Sequence, residues 1–66
     1  MRDPKRIEVI TTKLMYYWSE VPDWRFGQLI ENLKRYSGRH DLFYMEDHEF
    51  EKLLDEFFDE DEERYI

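Results

Sequence analysis

The chain has 66 residues, a net charge of −7, no cysteine, two Trp, five Tyr and five Phe. A chain of this length forms one domain, and without cysteine it has neither a disulfide nor a Cys/His zinc pattern to strengthen a small core. The aromatic rings compensate in part, but the core is expected to be thin, so that a protein partner or a homodimer would complete it.

The charges are unevenly distributed along the sequence. Residues 1–40 carry eight Lys/Arg and five Asp/Glu, a balance of +3, whereas residues 41–66 carry two and twelve, a balance of −10. Segregated charge indicates an interaction surface. The alternative, which we favour, is that the two halves pair with each other, within the chain or between protomers.

The first predicted helix covers residues 4–20. Asp3 is a suitable N-cap, and Pro4 fits the first helical position, where a missing N–H costs nothing. Pro22 disfavours helical geometry in the residue before it and ends the helix. Apolar residues recur at helical spacing and predict the buried face, namely Ile7, Ile10, Leu14, Tyr17, Trp18 and Val21.

The second predicted helix covers residues 24–36, with Asp23 as its N-cap after Pro22. Gly38 suits the left-handed position beyond the C-terminus of this helix. The cations Lys34, Arg35 and Arg39 lie near that end, where they favour the helix dipole. The predicted buried face consists of Phe26, Leu29, Ile30, Leu33 and Tyr36.

The segment "DLFYM", residues 41–45, is too short for a helix and is predicted to be an extended connector that inserts Leu42 and either Phe43 or Tyr44 into the core. A third helix over residues 47–58 has the clearest helical pattern, formed by Phe50, Leu53, Leu54, Phe57 and Phe58. Residues 59–66 are predicted to be a frayed acidic tail, because acids oppose the dipole at a helix C-terminus. The fold class is therefore all-α, a single three-helix domain over residues 1–58.

Three segments, "DPKRI", "PDWRFGQLI" and "DLFYMED" followed by an acidic helix, resemble a family of small uncharacterised bacterial and phage proteins. The family pattern reads DPxRI, then PDxRxGQL, then FYxED, and the resemblance covers most of residues 3–58. The middle segment is the distinctive one. The resemblance implies no activity, and its phage connection favours a small regulator or inhibitor.

Catalysis and metal binding have little support in the sequence. Ser19 and Ser37 lie in no nucleophile motif, and two glycines cannot form a phosphate-binding loop. His40 and His48 fit no metal-ligand spacing and are expected to be exposed. We therefore expect no enzyme, no cofactor and no metal site.

The second segment carries the candidate partner surface. Trp24 and Arg25 are residue types enriched at binding hot spots, and Gly27 costs a helix about 1 kcal/mol relative to Ala. In the alternative we favour, Trp24 packs over the first helix, Arg25 pairs with the third, and Gly27 admits a close approach. The full candidate surface adds acids of the third helix, and comprises Trp24, Arg25, Gln28, Glu49, Glu51, Asp55, Glu56, Asp59 and Glu60.

The leading functional hypothesis is a small acidic regulator or protein-interaction module. An alternative is a phage-type inhibitor whose acidic half imitates nucleic acid and occupies the basic groove of a nucleic-acid enzyme. A second alternative is direct nucleic-acid binding through Lys34, Arg35 and Arg39, which the net charge of −7 disfavours. The sequence has no signal-peptide pattern and no membrane-spanning run, so a cytoplasmic location is expected.

Overall fold

Three α-helices follow one another along the chain in the computed structural model, which describes residues 2–64 and the side chains of residues 2–59. They are α1 (Lys5–Glu20), α2 (Phe26–Ser37) and α3 (Asp47–Arg64), and residues 2–64 contain no strand. The predicted all-α, three-helix fold is confirmed. α3 extends beyond its predicted end at residue 58. The predicted fraying of residues 59–66 stays a prediction, because the side chains after residue 59 and all of residues 65–66 lie outside the described part of the chain.

The N-terminus of α1 is capped as the sequence predicts. Oδ1 of Asp3 accepts a hydrogen bond from the backbone N–H of Lys5 at 2.9 Å, and Pro4 has helical dihedrals of −65° and −13°. At the other end, the N–H of Val21 donates to the carbonyl of Trp18 at 3.0 Å, immediately before Pro22. The two prolines therefore bracket α1.

The start of α2 differs from the prediction. The helix begins at Phe26, and Asp23 is not its N-cap, because residues 21–24 form a turn in which the N–H of Trp24 donates to the carbonyl of Val21 at 3.0 Å. Arg25 is extended, and Oε1 of Gln28 accepts its N–H at 2.8 Å. Pro22 favours this turn, and α2 therefore begins two residues later than predicted. The C-terminal prediction is confirmed, since Gly38 has a φ of 75°.

The predicted extended connector is wrong, because residues 41–45 form a tight turn. Oδ1 of Asp41 accepts the N–H of Phe43 at 3.2 Å, and the N–H of Met45 donates to the carbonyl of Leu42 at 3.1 Å. Leu42 and Met45 pack against the core, as predicted for Leu42. The two central residues point outward instead of inward, with Phe43 83% exposed and Tyr44 81% exposed.

The core is small and centres on α3. Among residues 2–59 its buried members come only from α2 and α3, and are Leu29, Leu33, Leu53, Leu54 and Phe58. Leu14, Tyr17 and Trp18 of α1 pack against this cluster, but no residue of α1 is fully buried. As a result α1 covers one side of the core and keeps part of its own apolar surface exposed.

Ion pairs join the basic first half of the chain to the acidic second half. The pairs are Arg2–Glu46, Arg6–Asp47, Lys13–Glu51, Lys13–Asp55 and Arg39–Glu49. Every one of them joins residues 1–40 to residues 41–66. The favoured prediction, pairing of the two halves within the chain, is confirmed, and most of these contacts fasten α1 to α3.

Candidate functional site

An apolar groove of about 500 Å³ lies between α1 and the beginning of α2. We call it the α1–α2 groove, and it is lined by Thr11, Leu14, Met15, Trp18, Ser19, Pro22 and Phe26. The residues from α1 lie three or four positions apart and therefore share one side of the helix. Pro22 and the turn after it bring Phe26 to the opposite wall.

The two hydroxyl groups of the groove are already used. Oγ1 of Thr11 donates to the carbonyl of Ile7 at 2.7 Å, and Oγ of Ser19 donates to the carbonyl of Met15 at 2.6 Å. Each of these hydroxyls thus satisfies itself on the backbone of α1. The walls therefore offer few groups to a polar ligand and suit an apolar one.

Trp18 fixes the shape of the groove. Its Nε1 donates to the backbone carbonyl of Trp24 at 2.8 Å, and its ring lies 5.4 Å from that of Phe26. The only polar atom of the indole is therefore bonded inside the molecule, and the ring presents an apolar surface. On the rim, Met15 is 65% exposed and Phe26 is 48% exposed.

A second apolar feature lies beyond the other end of α2. We call residues 41–45 the aromatic turn. The rings of Phe43 and Tyr44 meet edge to face with centroids 4.9 Å apart, and both project from the surface. Leu42 and Met45 anchor the turn in the core on either side of them.

The predicted residues Trp24, Arg25 and Gln28 are not exposed together. Trp24 is half-buried, and its ring lies 6.2 Å from that of Phe57 in α3. Arg25 is exposed, and its guanidinium has no ion pair within residues 2–59. Gln28 is exposed and caps α2 through its side chain. The close approach of the first helix that was predicted to explain Gly27 is wrong, since, apart from its chain neighbours and the adjoining backbone of α2, no described atom lies within 4 Å of the place where a Cβ would be.

The predicted acids of α3 do not form one continuous free surface. Glu51 and Asp55 face α1, where Nζ of Lys13 lies 3.7 Å from the first and 2.8 Å from the second. Glu49 pairs with Arg39 after the end of α2. The remaining acids are directed elsewhere: Glu56 lies 3.9 Å from Nζ of Lys52 and Asp59 is exposed, while the side chain of Glu60 lies outside the described residues.

Asp55 is the centre of a clamp between α1 and α3. Its Oδ2 accepts from Lys13, and its Oδ1 accepts from the hydroxyl of Tyr17 at 2.6 Å. The hydrogen bond from Lys13, and to a smaller extent the one from Tyr17, holds the pKa of the Asp55 carboxyl below its usual value. The same carboxylate raises the pKa of both Lys13 and Tyr17. All three pKa values move away from neutrality, so the clamp suits structure rather than proton transfer.

The cations at the end of α2 are paired with carboxylates. Nζ of Lys34 lies 2.9 Å from Glu31 and Nε of Arg35 lies 3.8 Å from the same carboxylate, while Arg39 pairs with Glu49. Lys34 in turn lowers the pKa of Glu31.

The two histidines, His40 and His48, are exposed, and the described residues contain no group of three or more potential metal ligands. None of the helices in residues 2–64 is long and apolar enough to cross a membrane.

Comparison of the chain with protein-family models, with curated proteins and with solved structures finds no match. The resemblance to the bacterial and phage family therefore stays a prediction. The candidate site rests on the geometry of the chain itself.

Sequence reasoning missed the groove. Met15 was assigned to no predicted site, and Phe26 was assigned to the core. The available signal was Met15 itself, a large apolar residue next to Leu14 and outside the predicted buried face of the first helix. Such a residue marks a second apolar surface on a helix.

Proposed function

We propose that this chain is a small protein-interaction module, and that the α1–α2 groove receives apolar side chains of a protein partner. One observation carries the proposal: while five of the described hydrophobic residues are buried, Met15 and Phe26 stay 65% and 48% exposed at the rim of one preformed groove. Contiguous exposed apolar surface of this kind is typical of binding sites.

The chemistry of the groove indicates what it accepts. The hydroxyls of Thr11 and Ser19 and the indole N–H of Trp18 are all bonded internally, so a ligand gains mainly by burying carbon. An aromatic or long aliphatic side chain meets this requirement. The flexible thioether of Met15 adapts the rim to the shape of the side chain that enters.

The two alternatives have less support from this geometry. For a nucleic-acid mimic, acids must be available to a basic groove, but Glu49, Glu51 and Asp55 are paired with cations of the same chain. For direct nucleic-acid binding, Lys34 and Arg39 must be available, and both are paired with carboxylates. Counterion release, the main source of affinity for phosphate, is weakened when the cations are already neutralised.

An affinity capture from lysate with matched variants tests the proposed function. Met15→Asp places a charge on the rim of the groove, and Val9→Asp places the same charge at another exposed position of α1 that does not line it. We expect wild type and Val9→Asp to retain a common protein that Met15→Asp loses. A protein retained equally by Met15→Asp, or none retained by wild type, would contradict the proposal.

A further inference from the structure

We infer that the partner segment that enters the α1–α2 groove is basic, with one apolar side chain in the groove and neighbouring Lys or Arg side chains that meet Glu20 and Asp23. The inference rests on the proposed function of the groove and specifies the chemistry of its partner. It follows from the direction of the helices, the free acids beside Pro22 and the small size of the groove.

The helices α1 and α3 run parallel, so that both end on the same side of the molecule. Arg6 pairs with Asp47 near the start of both helices, and Tyr17 stacks on Phe58 in the second half of both, with ring centroids 4.6 Å apart. A helix C-terminus carries partial negative charge, and two parallel helices direct theirs to one end. The last turn of α1 contains no basic residue that would offset this charge.

The α1–α2 groove lies at this same end. The ring of Trp18 in the groove wall lies 5.4 Å from that of Phe26, the first residue of α2. The ring of Trp24 lies 6.2 Å from that of Phe57 in α3, so the turn between α1 and α2 is held against the second half of α3. A partner segment in the groove therefore lies at the end of the molecule to which α1 and α3 direct their C-termini.

Two free acids lie beside the groove. Pro22 lines the groove and also lines an adjoining hollow together with Glu20 and Asp23. Both carboxylates are exposed, and neither has an ion pair within residues 2–59. The turn that joins α1 to α2 contains one cation, Arg25, so the two acids outnumber it.

The net negative charge of the chain is concentrated at this end, because α3 continues to Arg64. Residues 20–25 and 59–64 together contain seven acids and two Arg, a balance of −5 out of the total of −7. A basic segment is therefore drawn to the end of the molecule at which the groove lies. Acids in the earlier part of α3 are instead paired with cations from the first half of the chain, namely Asp47 with Arg6, Glu49 with Arg39, and Glu51 and Asp55 with Lys13.

The size of the groove makes the charges beside it decisive. Its volume of about 500 Å³ lies in the lower half of the range of about 300–1,000 Å³ for ligand sites, and offers room for one or two side chains. These must be apolar, since the hydroxyls of Thr11 and Ser19 and the indole N–H of Trp18 are bonded internally. One buried apolar side chain gives a weak complex, so complementary charge beside it selects among the apolar segments that fit.

Titration of the ¹⁵N-labelled chain with short peptides, followed by NMR, tests the inference. The probe is a peptide in which one Phe stands between Lys residues, and its two controls replace Phe by Ala or every Lys by Glu. We expect the probe to bind with a Kd of about 0.1–1 mM at about 100 mM salt and to shift the amide signals of residues 14–26. Each control peptide should bind at least about 10-fold more weakly, and about 500 mM salt should weaken the probe.

Charge variants of the chain localise the contact. Glu20→Gln with Asp23→Asn should weaken binding of the probe about 5-fold or more, because it removes both free carboxylates. Asp41→Asn with Glu46→Gln changes the net charge equally at exposed positions near the start of α3, and should leave the affinity within about 2-fold. Arg25→Gln removes the opposing cation and should strengthen binding.

Neutral substitutions isolate the apolar part of the contact. Met15→Gln keeps the charge but makes the rim polar, and should weaken the probe about 5-fold. Val9→Gln, at an exposed position of α1 that does not line the groove, should have no effect. Gln replaces Met15 here because an acid at this position would itself attract a basic peptide. Circular dichroism verifies that the helices of each variant are intact.

The inference is overturned if the probe does not bind at about 5 mM, if the Glu control binds as tightly as the probe, or if the two pairs of charge variants lose affinity equally. An Ala control that binds as tightly as the probe shows a general attraction of cations and also overturns it. The proposed function survives any of these results if the lysate capture still depends on Met15, because the partner then has a different chemistry. If no protein is captured either, both are wrong.

Discussion

The hydroxyl of Tyr17 donates to Oδ1 of Asp55 at 2.6 Å, while the ring of Tyr17 stacks on Phe58 with centroids 4.6 Å apart and planes 6° apart. One side chain of α1 is thereby joined to α3 through a polar contact and an apolar one. Since α1 has no fully buried residue, contacts at its edge must hold it in place. The groove exists only while α1 stays there.

Replacing Tyr17 by Phe removes the polar contact and leaves the stacking. A hydrogen bond to a charged acceptor contributes up to about 3 kcal/mol, but the Asp55 side chain is 43% exposed, so we expect the free energy of unfolding to fall by about 1 kcal/mol. Urea denaturation measures the change. Tyr16→Phe is the control, because Tyr16 is 61% exposed and its hydroxyl makes no described hydrogen bond. Equal midpoints for the two variants would contradict the prediction.

The Asp55 clamp gives the stability a defined dependence on pH. Lys13 and Tyr17 hold the folded-state pKa of Asp55 below its usual value of 3.8, so its contribution is complete above that value and is lost as the pH falls through the folded-state pKa. We expect Asp55→Asn to be less stable than wild type by about 1 kcal/mol at pH 7.

The difference between wild type and Asp55→Asn isolates this one carboxyl from the other acids. Denaturation curves of both proteins should run a constant distance apart between about pH 5 and pH 8 and converge below about pH 4. The paired Lys13 and Tyr17 have raised pKa values, so their contributions persist through this range and disappear only at alkaline pH. A gap that is unchanged at about pH 2 would contradict the assigned role of Asp55.

Much of the fold could be predicted from periodicity and caps. The pattern of Phe50, Leu53, Leu54, Phe57 and Phe58 identified α3 and its inner face, because five apolar residues at helical spacing leave one orientation. The roles of Asp3 and Gly38 were predicted correctly because a helix cap depends on the conformation of the few residues next to it. The predicted start of α2 was wrong because Pro22 and Asp23 suit a turn as well as a helix cap. The side chain of Gln28, which accepts the N–H of Arg25, fixes the start at Phe26.

The site was less predictable than the fold. In the aromatic turn, hydrophobicity alone does not show which of four adjacent apolar residues enters the core, and a tight turn can bury its ends only by exposing its centre. The α1–α2 groove depends on the distance between two helices that are joined by a turn of unexpected length. The clamp of Lys13, Tyr17 and Asp55 likewise depends on the rotation of α1 against α3. Such relations between elements have no local signal.

The two glycines should respond in opposite ways to substitution by Ala. At Gly27, apart from the chain neighbours and the adjoining backbone of α2, no described atom lies within 4 Å of an added Cβ, so Gly27→Ala is expected to stabilise α2 by about 0.5–1 kcal/mol. At Gly38 the φ of 75° disfavours any Cβ, so Gly38→Ala is expected to destabilise by about 1–2 kcal/mol. Thermal unfolding of both variants measures this. A Gly27→Ala variant that folds normally but loses a partner would show that the position serves close approach in a complex.

The final prediction concerns the three cations at the C-terminal end of α2. Lys34 and Arg35 face the carboxylate of Glu31, and Arg39 faces that of Glu49, while the chain as a whole carries a charge of −7. We therefore expect the wild-type protein not to shift mixed-sequence duplex DNA in a gel at about 50 mM salt.

A double variant, Glu31→Gln with Glu49→Gln, removes both carboxylates and reduces the net negative charge by two. If these carboxylates suppress phosphate contacts, the variant should bind DNA weakly at low salt and release it steeply as salt is added, because each phosphate contact releases counterions. A shift by wild type that disappears on Lys34→Ala, Arg35→Ala or Arg39→Ala would instead make direct nucleic-acid binding, the second alternative from the sequence, the leading hypothesis. In that case the ion pairs would have to open on binding, since a guanidinium bound to a carboxylate cannot also neutralise a phosphate.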